Sequence, residues 1–230
     1  MPVTWIGALN NYAYPVNLRN YERAQEFPGF FEMAINGDRR STIEFETHYT
    51  ENAPRYVTAF FEVAFWKLYS QKGRRQTGTN RIVDYVRRNG ITSKQLWNAV
   101  VQFVASQNIT TLRDIRNLMG LKSDVLAVPL TFPSLSNPEL IPMIDKQVAI
   151  WVNTNFVVHN RNRVNQLIPF AMNYTSLREN DFPAYLHWVA WCQESAKKLT
   201  DLTESRWRAR DVEMAVFTAQ RNESILNVLP

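Results

Sequence analysis

The residues in this sequence best placed to do chemistry are a carboxylate at a helix start and, upstream of it, a glycine turn followed by lysine. They lie in IRNLMGLKSDVLAVPLTFPSLSNPELIPMIDKQVAIWVN, residues 115–153. The pattern there predicts a helix, then a tight turn at Met119-Gly120-Leu121-Lys122, then a new helix starting near Ser123. A loop punctuated by Pro133, Pro138 and Pro142 follows, and Asp145 stands at the mouth of another helix. Backbone N–H groups at a helix start, with the positive end of the macrodipole, form a natural phosphate site. Gly120, Leu121, Lys122 and Ser123 would supply those contacts, and Lys146 adds charge nearby in sequence. Asp145 follows the apolar tetrad Ile141-Pro142-Met143-Ile144, which is expected to set it at a pocket floor. An acid there could act on whatever the turn holds. Plainer readings stand beside these. Asp145 is also an ordinary N-cap, Gly120 an ordinary C-cap glycine, and the two lysines ordinary solvated charges.

Composition removes several other chemistries. The chain has 230 residues, of which 45% are hydrophobic and 20% charged, so it can bury a core and does not read as disordered. A single cysteine, Cys192, excludes an internal disulfide framework and a four-cysteine zinc or iron–sulfur site. His48, His159 and His187 are far apart and show no metal-ligand spacing, so no metal and no cofactor is expected. Twenty-six Lys and Arg against 21 Asp and Glu give a net charge of +5, which favours an acidic partner such as nucleic acid. No stretch reaches the roughly 18 apolar residues of a membrane span. The first residues lack the pattern of a secretory signal, so the expected location is cytoplasmic.

The elements that must position these residues are mostly helices. Residues 1–50 read as an irregular segment packing on the core, with a short strand at STIEFETHY, Ser41–Tyr49. From Pro54 onward a helical domain is predicted, residues 51–230. Its first stripe is Val57, Phe61, Ala64 and Leu68. A short helix is expected at about 80–88, another after a cap at Thr92 or Ser93, and another after a cap at Thr110 or Thr111. Asp181-Phe182-Pro183 opens a later helix, and a last one spans about 205–221. The fold class is therefore mainly α, with the helix–turn–helix at about 109–132. Lys72–Arg75, Arg87-Arg88 and Arg206–Arg210 are basic runs, with at least one expected to track phosphates if the protein binds DNA; Arg210-Asp211 reads as an internal charge pair. The histidines and Cys192 read as structural.

The stretch resembles the helix-hairpin-helix DNA glycosylase superfamily, in particular its oxoguanine-type members. Leu118-Met119-Gly120-Leu121-Lys122 stands where that superfamily has its hairpin, and Ile144-Asp145-Lys146-Gln147-Val148 where it has its catalytic aspartate segment. A looser likeness runs over residues 55–220 and includes the tail helix WRARDVEMAVF, Trp207–Phe217. The resemblance implies an enzyme that binds duplex DNA, flips a damaged base and hydrolyses its N-glycosidic bond with Asp145. It also implies an aromatic platform for the flipped base, for which Trp66, Trp97, Trp151, Trp188 and Trp191 are candidates. The chain departs from the pattern at the second hairpin glycine, which is Lys122. The position of the Schiff-base lysine holds Asp124, so base release without strand cleavage is implied unless Lys122 or Lys146 reaches in. Two alternatives remain open at this point: a non-catalytic helix-hairpin-helix protein that binds DNA, and a helical protein-interaction module.

Overall fold

Two helices that are buried almost all round organise the chain. In the computed structural model, which describes residues 2–31, 34–122, 124–172 and 177–229, the described residues form ten α-helices and only two pairs of two-residue strands. The fold is mainly α, as the sequence predicts, with a short irregular stretch near the N-terminus. It packs as two units, one of Met1–Ala13 with Asn137–Pro230, the other of Tyr14–Ser136.

The unit of Tyr14–Ser136 is built on α3, Thr58–Leu68. Its sequence TAFFEVAFWKL is apolar on most sides, and Ala59 through Trp66 are buried, Glu62 among them. A helix of that kind belongs in a core. Around it pack α2 (Arg39–Asn52), α4 (Arg75–Arg88) and α7 (Ala127–Ser136). The pair α5 (Ser93–Ser106) and α6 (Ile109–Leu118) pack on each other across the two-residue turn Gln107-Asn108. Thr92 caps α5 in a capping box with Gln95, as predicted, whereas α6 is capped by Asn108 and not by Thr110 or Thr111. Helix α4 begins at Arg75, earlier than the predicted residue 80, and Pro133 lies inside α7 and not in the loop after it.

The strand predicted at Ser41–Tyr49 is part of helix α2. Its buried residues are Thr42, Phe45, Glu46 and Tyr49, a spacing of i, i+3, i+4, i+7. Two of the four are polar, so hydrophobicity alone shows alternation where burial follows a helix. Asp38 caps the helix by accepting the Ser41 N–H at 2.8 Å. The preceding Gly37 has φ +85°, and a Cβ there would lie 2.2 Å from the Tyr14 carbonyl carbon, so only glycine fits this crossing of backbones. The crossing is closed by β2 (Val16–Asn17), antiparallel to β3 (Ala34–Ile35).

The other unit is built on α10, Ala209–Arg221, buried from Ala209 to Ala219. Helices α1 (Trp5–Asn10), α8 (Lys146–His159) and α9 (Phe182–Thr203) pack on it, and β1 (Pro2–Val3) runs parallel to β4 (Ile225–Leu226). Helix α10 begins at Ala209, four residues after the predicted start, and takes charged side chains into the core. Arg208 holds Asp211 through two nitrogens, at 3.1 and 2.9 Å, and Arg210 pairs with Glu213. The sequence reading pairs Arg210 with Asp211. Residues three apart face each other on a helix and adjacent ones do not, which is why the partners are shifted.

A cluster of rings fills the space between α1, α8 and α9. His159 lies 4.7 Å from Trp151, 6.2 Å from Trp191 and 6.3 Å from Trp5, centroid to centroid. Burial, with the nearby Arg163 charge, pushes its imidazole down to about 4. The folded state therefore binds this proton less readily than the unfolded chain, whose histidine titrates near 6.5. Stability is at its full value above pH 6.5 and falls as the pH drops toward 4, by up to about 3 kcal/mol from this residue. Urea unfolding at pH 7.5, 5.5 and 4.5 should show a decline that is much shallower in His159→Phe. Equal pH dependence in the two proteins would contradict this.

Candidate functional site

Asp145 stands at the end of a loop that α9 and α10 hold by its carbonyls. The N–H groups of Ala209 and Arg210, at the start of α10, donate to the carbonyls of Glu139 (3.2 Å) and Pro138 (3.0 Å). Gln193 Nε2 donates to the carbonyl of Leu140 at 2.9 Å, the Tyr185 hydroxyl to that of Pro142 at 3.1 Å, and Trp188 Nε1 to that of Met143 at 3.0 Å. The side chains of Ile141, Met143 and Ile144 are buried beneath it. Five of the six carbonyls from Pro138 to Met143 are thus fixed by side chains or helix-end amides. This satisfies both the loop's buried acceptors and the orphan donors of α10.

The consequence is a carboxylate of defined position. Asp145 is half-buried and caps α8, its Oδ1 accepting the Val148 N–H at 2.9 Å. Among the described residues nothing hydrogen-bonds Oδ2. One oxygen is tied and the other is left to meet a developing positive charge or to accept a proton. Lys146, the first residue of α8, is exposed.

The glycine turn lies in the other unit and is built differently from the predicted hairpin. Helix α6 ends at Leu118, and α7 starts only at Ala127, four residues after the predicted start. Gly120 has φ +61°. Its N–H donates to the Asn117 carbonyl at 3.1 Å and that of Leu121 to the Arg116 carbonyl at 3.0 Å. These two amides close the C-terminus of α6, so the phosphate cradle predicted from them is already occupied by α6 carbonyls. Lys122 is exposed, Asp124 is half-buried, and Ser123 lies outside the described residues. A Cβ on Gly120 would stand 2.3 Å from the Tyr85 ring. Gly120→Ala should therefore cost about 1–2 kcal/mol from the left-handed backbone alone, more with the displaced ring. Chemical denaturation would measure it, and an unchanged midpoint would contradict the packing.

That contact places the turn beside a stripe the sequence reading did not single out. Arg81, Tyr85 and Arg88 stand at i, i+4 and i+7 on α4, all exposed, with no ion-pair partner for either arginine among the described residues. Their spacing, an aromatic between two arginines on one helix face, is readable from the helix expected at about 80–88. Elsewhere the basic runs are partly spent. Arg87 pairs with Glu26 at 2.8 Å, Arg75 lies over the Tyr69 ring, and Arg206 pairs with Glu139 at 2.9 Å. Arg208 and Arg210 are buried. Lys72, Arg74, Arg81, Arg88 and Lys122 are among the exposed cations of the Tyr14–Ser136 unit.

The tryptophans do not form the predicted base platform. Trp66, Trp151, Trp188 and Trp191 are at most 2% exposed, so their faces are covered by the core, and only Trp97 is half-exposed. Trp188 serves instead as a hydrogen-bond donor to the loop that carries Asp145. Cys192 is buried. Among the described residues no three His, Cys, Asp or Glu side chains are grouped to hold a metal ion, and no helix is long and apolar enough to cross a membrane. Compared with known protein families, curated proteins and solved structures, the chain matches none.

Proposed function

We propose that this chain binds duplex DNA and releases a damaged base from it, with Asp145 as the carboxylate that stabilises the positive sugar as the glycosidic bond breaks. The observation that carries the reading is the clamped loop. Holding five of the six carbonyls from Pro138 to Met143 fixes Asp145 far more tightly than a helix cap requires, and it leaves Oδ2 open. Preorganised charge of that kind is what an oxocarbenium-like transition state rewards. The resemblance at residues 144–148 adds the DNA substrate, and the exposed cations around Lys122 and α4 add a surface suited to phosphates. With Asp124 at the lysine position, the reaction is hydrolysis, with water as the nucleophile.

Non-catalytic DNA binding is the second reading. It is favoured by the burial of four of the five candidate tryptophans, which removes the expected stacking platform. Both readings require DNA binding. Affinity for a duplex should fall with salt by about 0.9 log units per log unit of salt for each phosphate contacted. Arg88→Gln and Lys122→Gln should each reduce that slope by about one contact. Fluorescence anisotropy across a salt series reads this directly, and no binding at low salt would end both readings. Release of a base from lesion-bearing duplex separates the first from the second.

A further inference from the structure

The unit of Tyr14–Ser136 contains a cavity of about 200 Å³, lined in part by Pro28, His48, Asn52, Tyr56, Thr58 and Glu62. Glu62 is 1% exposed and sits in its wall. Its Oε1 accepts the Phe31 N–H at 2.8 Å, and its Oε2 lies 2.7 Å from His48 Nε2. Asn52 Nδ2 donates to the His48 carbonyl at 2.8 Å, which fixes which end of that amide is nitrogen. The same Nδ2 lies 3.2 Å from His48 Nδ1. A donor NH2 facing Nδ1 requires a lone pair there, so the ring's proton is on Nε2 and is given to Glu62. That tautomer gives the Glu62 carboxyl a hydrogen bond, and among the described lining residues there is no Lys or Arg beside it. The ring is held in place by Phe31, 4.2 Å away, and Phe45.

What the cavity offers a ligand is acceptors. His48 Nδ1 has only the longer arm of Asn52, whose nitrogen keeps its carbonyl bond if that arm is displaced. Asn52 Oδ1 has no partner among the described residues. Tyr56, 56% exposed, puts an aromatic ring at the rim. Acceptors beside a buried carboxyl group, with a π face at the entrance, select a cation that donates hydrogen bonds. We infer that this cavity binds a small organic cation, a primary ammonium or amidinium group on an apolar body, that donates to His48 Nδ1 and Asn52 Oδ1. Phosphates and carboxylates are repelled, so the site is separate from any DNA contact and does not depend on the DNA reading.

The test is a titration of the full-length, 15N-labelled chain with benzylamine, benzamidine, benzoate and inorganic phosphate, followed at the His48 imidazole nitrogens. The unliganded spectrum should show a protonated Nε2 and a bare Nδ1. Benzylamine or benzamidine should shift Nδ1 saturably, while benzoate and phosphate should not. Tyr56→Ala, a rim change outside the core, should weaken binding several-fold, and Glu62→Gln about tenfold or more. A protonated Nδ1 in the free protein, equal shifts with benzoate, or no saturable shift with either cation would overturn the inference. If Glu62→Gln does not fold, the wild-type comparison of cations with anions, together with Tyr56→Ala, still decides it.

Discussion

Asp211→Ala should cost about 3–5 kcal/mol of folding stability, enough to unfold a large fraction of a marginally stable protein. Asp211 is wholly buried at the start of α10 and takes three roles at once. It accepts the Arg208 N–H at 3.0 Å, accepts from the Arg208 guanidinium through both oxygens, and places a negative charge at the helix N-terminus. Removing it strips the buried Arg208 of its two-pronged partner and opens the first turn of α10. The same turn supplies the Ala209 and Arg210 amides that hold the loop before Asp145. The contrast is Arg206→Ala, whose pair with Glu139 is exposed, with side chains 78% and 42% accessible. That change should be worth under about 0.5 kcal/mol. Urea unfolding of the two variants beside the wild type checks both, and similar midpoints for the two would contradict the account of α10.

Asp145→Asn should lower the rate of base release by about 10²–10³-fold while leaving the fold and the DNA affinity in place. The separation of effects follows from the geometry. Asparagine caps a helix about as well as aspartate, so the bond to the Val148 N–H survives and thermal stability should stay within about 0.5 kcal/mol of wild type. What is lost is the charge on the side whose oxygen is free. A duplex loses no phosphate contact through this change, so Kd should hold or tighten slightly as a negative charge is removed. A variant with weak binding and unchanged single-turnover rate would mean that Asp145 acts on the fold or on DNA docking, and not on the chemistry.

Much of this arrangement is legible in the sequence, in specific places. The apolar run of α3 and the Thr92 cap show in residue type and spacing alone. Asp145 as the start of α8 is equally local, because a cap depends on neighbours three residues away. The error at Ser41–Tyr49 has a local cause too, since polar Thr42 and Glu46 take inward positions and leave an alternating residue. The predicted hairpin failed at its second helix because Gly120 ends α6 in a left-handed cap, which turns its amide and that of Leu121 back to α6. The clamp was out of reach of a linear reading. Trp188 meets the Met143 carbonyl 45 residues away, and nothing near either residue signals it. Buried charge on α10 was hidden for a different reason. Arg208 with Asp211, and Arg210 with Glu213, neutralise each other at helical spacing, so a segment that reads as a solvated face is core. The Arg81-Tyr85-Arg88 stripe is legible in the sequence, because the helix expected at about 80–88 already spans all three residues; it escapes a reading that follows contiguous basic runs and not the i, i+4, i+7 face of a helix.

Cleavage of a glycosidic bond by Asp145, as proposed, is measured most directly by chromatography of the free base. Duplexes carrying oxoguanine, uracil, hypoxanthine or an alkylated adenine would be incubated with excess wild type or excess Asp145→Asn, and the released base quantified over time. The account predicts release from at least one lesion by the wild type, without strand breakage and without an adduct trapped by borohydride, and a loss of about 10²–10³-fold in the variant. Undiminished release by Asp145→Asn, or no release from any lesion by a wild type that binds each duplex, would contradict it.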